Sequence, residues 1–105
     1  MNGVRDQHLE YEGVVAPVMK YLESLPRSKC INVHGGVYTE RGTPDIIGSV
    51  GGRAVAFECK RSPDEEQTRI QNWRLAEWLA SGAVVGAVSS VEDVDLTLRL
   101  MGVVE

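Results

Sequence analysis

Long apolar runs are missing from this chain of 105 residues. None approaches the ~18 consecutive apolar residues that mark a membrane-spanning helix, so no membrane partner is expected. The opening stretch, MNGVRDQHLEYEG, carries no apolar core of the kind a secretory signal needs. Both absences lead to the expectation of an intracellular, cytoplasmic protein. Cysteine is scarce as well. Cys30 and Cys59 have neither a CxxC partner nor a neighbouring His cluster, which argues against zinc. Two buried free thiols in a reducing compartment are the simpler expectation. Basic charge is also short: 11 Lys and Arg face 15 Asp and Glu, a net charge of -4. That balance counts against a protein that coats nucleic acid by electrostatics alone. It leaves room for one whose carboxylates surround a cation, because the ion offsets them locally. Internal repeats and low-complexity tracts are absent.

What is present reads as one globular domain over residues 1–105, with 43% hydrophobic and 25% charged residues. A chain this short has a modest core, and partner subunits often help it. Residues 8–24 have helical periodicity, with Val15, Val18, Met19 and Leu22 on one stripe. Pro17 implies either a kink or a regular helix that begins near Gly13. CINVHGGVYTE is a first strand broken by Gly35-Gly36, and PDIIGSV and RAVAFECK are two strands joined at Gly51-Gly52. SPDEEQ signals a helix start, with Ser62 as N-cap, Pro63 next and Glu65 completing a capping box. That helix runs to about Ser81, where Gly82 stops it. AVVGAVSS reads as a strand buried on both faces, and Ser90 caps a last helix, VEDVDLTLRLM. The order is α-β-β-β-α-β-α, a mixed sheet with helices on both sides.

The chemistry concentrates where the strands carry charge. A two-residue turn at Gly51-Gly52 pairs Val50 with Arg53, and counting outward sets Asp45 opposite Glu58. Paired side chains lie about 5 Å apart at Cβ, and Lys60 projects from the same face as Glu58. A longer turn would slide the register and separate them. Two carboxylates this close repel unless a cation stands between them. Mg2+ or Mn2+ suits such oxygen ligands, and Lys60 could orient a water or stabilise charge on a phosphorane. The plainer alternative makes Asp45 a strand start and Glu58 with Lys60 a surface pair. The PD dipeptide, the hairpin of fitting length and the apolar flanks together favour the functional reading. Arg41, Arg53 and Arg61 could add the local positive charge that a DNA backbone requires. His34, in its Gly-flanked strand, could contact a phosphate, although a lone His in a strand is more often structural.

GTPD at 42–45, FECK at 57–60, a Gln-bearing helix and an apolar strand together resemble the PD-(D/E)xK nucleases. GTPDIIG, ECK and SGAVVGAVSSVEDV resemble, within them, a stand-alone, phage-type VRR-NUC domain over about residues 10–94. The resemblance implies a restriction-endonuclease-like α/β core and an Mg2+- or Mn2+-dependent endonuclease acting on DNA. It implies branched or forked DNA as the substrate, and a phage or prophage source. It also implies that the metal is held by Asp45, Glu58 and the backbone carbonyl of Cys59, with Lys60 as the motif lysine. A helix-borne Glu reaching the metal would be Glu12, with Glu10 as runner-up. For either, a solvated carboxylate at a helix N-terminus is nearly as good a reading. A Gln beside the site would be Gln71, with Gln67 as the alternative. These two share a stripe with Leu75 and Trp78. Ile70, Trp73, Ala76 and Ala80 form a second apolar stripe on that helix. It points to a homodimer with two active sites, as the resemblance also does. The alternative function is a catalytically weak nucleic-acid-binding or assembly module on the same fold.

Overall fold

The computed structural model describes residues 3–33 and 40–105, with side chains from residue 13 onward within those spans. Helix α1 covers Gly3–Ser24 and holds Pro17 inside it, so it starts earlier than the periodicity predicts. Its apolar stripe is real: Val14, Val15, Val18 and Leu22 are all buried. Strand β1 covers Ser28–Asn32, β2 Ile46–Val50 and β3 Arg53–Cys59. Thus β1 begins two residues before Cys30 and ends well short of the expected Glu40, and Gly35-Gly36 lies outside the described residues. Helix α2 covers Arg69–Ala80, β4 covers Val84–Val88 and α3 covers Val91–Leu100. As expected, Ser90 caps α3, its side chain accepting from the Asp93 N–H.

The four strands lie in the order β1-β2-β3-β4. The first two pairings are antiparallel and the last, across α2, is parallel. The sheet is therefore mixed and flanked by helices in the expected order. Ile46, Val50, Val55, Phe57, Cys59, Val84 and Val88 form one core cluster with α1 residues and with Val94 and Leu98 of α3. Successive strand residues alternate faces, so Ala56 and Glu58 point away from this core, toward α2. Strand β4 corrects an expectation. It is an edge strand, and Val85, Gly86 and Ala87 are only partly buried.

Helix α2 starts six residues later than SPDEEQ suggests, at Arg69 with Thr68 as its N-cap. Glu65 does not reach back to an N-cap at Ser62. Its carboxylate accepts instead from the Arg61 N–H at 2.7 Å and from the Arg61 guanidinium at 2.9 Å. With Glu65 held there, Ser62 and Glu65 close only a single turn, and the helix begins after Thr68. Its faces follow the expected division in all but one residue. Leu75 is buried and Trp78 half-buried, whereas Trp73, Ala76 and Ala80 are exposed. Ile70, assigned to the outward stripe, is half-buried instead and abuts the loop at Gly42.

Candidate active site

The hairpin sets the geometry. Gly51 and Gly52 take φ values of 58° and 88°, the paired left-handed conformation that a two-residue turn demands and that other residues resist. This turn pairs Val50 with Arg53 and Ile46 with Phe57. One further step of the same ladder sets Asp45 opposite Glu58, in the class of pair whose side chains approach most closely. Asp45 is gripped from two sides. Its carbonyl accepts from the Val33 N–H at 2.6 Å, extending β1, and its Oδ2 accepts from the Cys59 N–H at 2.7 Å. Extending the β2–β3 register two steps past Ile46 sets Pro44 opposite Cys59, and proline has no N–H. The ladder therefore has no backbone donor to offer the Cys59 carbonyl at this position, beside the two carboxylates.

Glu58 is 3% exposed and is the buried acid among the described residues. Burial pushes its carboxyl far above the usual carboxylate range; the Asp45 charge, a hydrogen bond to Asp45 and the Glu65 charge push the same way. Two facing acids in an apolar setting hold a proton between them unless a cation replaces it. The Cys59 thiol is raised to about 12 by burial, and then by Asp45 and Glu58. It points into the core and has no thiolate chemistry to offer.

Lys60 follows on the same side, and its backbone N–H donates to the Val88 carbonyl at 2.7 Å. Its ammonium donates to the Pro63 carbonyl at 3.2 Å. Gln71 approaches from α2, its Nε2 donating to Glu58 Oε2 at 3.4 Å. The N-cap of α2 is Thr68, in a capping box with Gln71. Together with residues 61 and 65–67 these groups line a pocket of about 250 Å3. Gln67 lies there too, just before the helix, and its buried Nε2 has no hydrogen-bond partner among the described residues.

The donor set suits a hard divalent cation: two carboxylates with a strand carbonyl beside them, all oxygen. Among the described residues no group of three or more His, Cys, Asp or Glu side chains is arranged to hold a metal. From the described residues such an ion would draw on Asp45, Glu58 and the Cys59 carbonyl. The remaining expected residues divide. Glu10 and Glu12 lie on α1, but their side chains are outside the described set, as is His34 altogether. Arg61 lines the pocket but is paired with Glu65. Arg41 is exposed, and its carbonyl accepts from Arg74 Nε at 2.9 Å. Arg53 does not belong to the site. It opens β3 at the far end of the hairpin, donating to the Gly82 carbonyl at 3.3 Å, five residues or about 17 Å of strand from Glu58.

Sequence reasoning missed Thr68 and Glu65. Between β3 and α2 the pattern Ser/Thr-x-x-Glu/Gln occurs twice, at 62–65 and at 68–71, and the second, overlooked copy is the signal that would have found Thr68 and the true helix start. It also missed Arg74, whose contacts with the Arg41 carbonyl and Glu40 tie α2 to the loop before Asp45.

No protein-family model matches the sequence, and no curated protein matches it. The fold has a solved counterpart: a structure described as "VRR_NUC domain" superposes with a TM-score of 0.72 at 19% sequence identity. The match covers 86% of this chain and 95% of that one. With its mixed four-stranded sheet in the order α-β-β-β-α-β-α, the chain has the fold of a VRR-NUC domain.

Proposed function

We propose that residues 1–105 act as a divalent-metal-dependent endonuclease that hydrolyses phosphodiester bonds in DNA. The observation that carries this reading is the juxtaposition of Asp45 and Glu58 at the open end of a hairpin, with Lys60 and Gln71 around one pocket. Close carboxylates in an apolar setting are costly, and a cation-dependent reaction gives a reason for them. Bound Mg2+ or Mn2+ would supply Lewis acidity toward a phosphate oxygen and toward water. Asp45 and Glu58 would hold the ion, each oriented by its own hydrogen bonds, with the Cys59 carbonyl as a third ligand and Glu12 of α1 as the further carboxylate. Lys60 exchanges its contact with the Pro63 carbonyl for the attacking water or the phosphorane oxygens. Gln71 holds the Glu58 carboxylate in place. Gln67, with an unused amide donor at the pocket, supplies a hydrogen bond to a phosphate oxygen. Arg41 and Arg61 add positive charge near the strand being cut. Water attacks phosphorus, and one P–O bond of the backbone breaks. The fold likeness to a VRR_NUC domain supports a nuclease reading, and by analogy of fold the substrate is branched or forked DNA met in replication or repair. A homodimer built on the exposed Trp73 face places two such sites in one particle.

The test compares wild type with Lys60→Ala and Asp45→Asn on forked and four-way DNA in Mn2+. Wild type should cut and both variants should not. A wild type that cuts no better than the variants rules out the enzyme, and DNA binding retained by all three would then identify a binding module.

A further inference from the structure

The N-terminus of α2 is wired to Glu58 through its capping box. Thr68 Oγ1 accepts from the Gln71 N–H at 3.2 Å, and Gln71 Oε1 accepts from the Thr68 N–H at 2.8 Å. A capping box works with either Glu or Gln at the fourth position, and the positive end of a helix favours the acid. The helix alone therefore gives no reason for Gln71. Only Gln, once its carbonyl is committed to the cap, still has an NH2 to give, and that NH2 faces Glu58 Oε2 at 3.4 Å. The cap also decides which end of the amide is which. A backbone N–H can only donate, so the end held by Thr68 is oxygen and the end left for Glu58 is nitrogen. A glutamate at this position would cap equally well and would present a lone pair to Glu58 in place of a proton.

We propose that Thr68 is a positioning residue for Glu58, acting through Gln71: the cap's two hydrogen bonds fix the Gln71 backbone and its Oε1, and so aim its amide nitrogen at Glu58 Oε2. The positioning itself is a property of the metal-free protein. Its consequence for cation affinity rests on the reading of Asp45 and Glu58 as a metal centre.

Three substitutions grade the effect. Thr68→Ser keeps both hydrogen bonds. Thr68→Ala removes the Oγ1 acceptor. Thr68→Pro removes the N–H as well, at a φ of -74° that proline accepts. The first readout is the side-chain amide pair of Gln71 in 15N NMR spectra without metal, assigned as the pair missing from Gln71→Glu. Wild type and Thr68→Ser should show two well-separated proton shifts with slowed exchange. Thr68→Ala should move them toward the values of a free glutamine, and Thr68→Pro should complete the move. An unmoved Gln71 pair in folded Thr68→Pro overturns the proposal. If that variant does not fold, an unmoved pair in Thr68→Ala does. The second readout is Mn2+ affinity by calorimetry, expected to fall about tenfold in Thr68→Ala, the low end for residues that orient metal ligands, and to stay within about twofold in Thr68→Ser. Equal affinity in wild type, Thr68→Ala and Thr68→Pro overturns a role for Thr68 at the site. A wild type that binds no Mn2+ defeats the metal reading instead, and the NMR comparison still decides the positioning.

Discussion

At the scale of single residues, Glu58 is where structure and solution behaviour meet most directly. Its carboxyl is buried against Asp45, so folding favours the protonated form. The folded pKa lies above the unfolded one, and the stabilisation from that proton is complete below about 4.3. It is lost as pH rises toward the folded value of about 9. In EDTA, thermal unfolding followed by circular dichroism should therefore show a midpoint that falls with rising pH across this window. Glu58→Gln should flatten the fall, because a neutral amide neither gains nor loses a proton there. Adding Mn2+ at the alkaline end should raise the wild-type midpoint and leave Glu58→Gln nearly unmoved. Parallel pH profiles for the two proteins would show that Glu58 is not the group responsible. Lys60 calls for a different measurement. Its ammonium rests on the Pro63 carbonyl in the half-exposed loop, so Lys60→Ala should change stability by no more than about 0.5 kcal/mol. The same variant should lower cleavage by at least about 100-fold, the usual scale for removing a group that stabilises transition-state charge.

At the scale of elements, the loop before Asp45 depends on α2 as much as on the sheet. Gly42 has a φ of 78°, and a Cβ there would lie 2.8 Å from both the backbone oxygen and Cγ1 of Ile70. Gly42→Ala faces a left-handed conformation and the α2 backbone together. It should cost about 1–3 kcal/mol in urea unfolding, and cleavage should fall as Asp45 shifts. A stability equal to wild type would mean that the loop relaxes away from α2 without consequence. These elements also show which parts of the fold the sequence made legible. The β2–β3 register could be read because two glycines fix the turn, and one turn fixes every pair beyond it, Asp45 with Glu58 included. The start of α2 could not, because two capping boxes compete within ten residues and both satisfy the pattern. What separates them is Arg61, whose N–H and guanidinium draw Glu65 out of the first box, a contact that no periodicity encodes. The edge position of β4 was hidden for a related reason: an apolar run reports burial by helices above and below but says nothing of which strand lies beside it. Arg53 could have been set aside from the same register, because pairing it with Val50 puts it at the turn, the opposite end of the hairpin from Glu58.

At the scale of the whole molecule, the unexplained feature is apolar surface on the outer side of α2. Trp73 is 63% exposed, and Ala76 and Ala80 follow it on the same stripe. With Ile70 turned inward against Gly42, this stripe is narrower than the sequence implied. Leu79, 56% exposed, widens the apolar surface of the helix, but a stable dimer ordinarily buries about 800 Å2 per partner, so these four side chains are too few, and the contact must extend past the helix if the proposed homodimer forms. The dimer has a consequence for function that stability measurements alone do not reach. If two sites act on two arms of a branched DNA, separating the subunits should weaken cleavage of a four-way junction more than cleavage of a simple flap. Trp73→Glu is the suitable probe, because the side chain lies outside the core and its replacement opens no cavity. Sedimentation equilibrium should give twice the chain mass of 11.5 kDa for wild type and the single mass for Trp73→Glu, with an unchanged circular dichroism spectrum. Junction cleavage should then fall about tenfold relative to flap cleavage, because the two sites no longer share one effective concentration. A wild type that sediments at the single-chain mass removes the homodimer from the account, and with it the two-site reading of branched DNA. Asp45, Glu58 and Lys60 would remain, because the site they form lies within one chain.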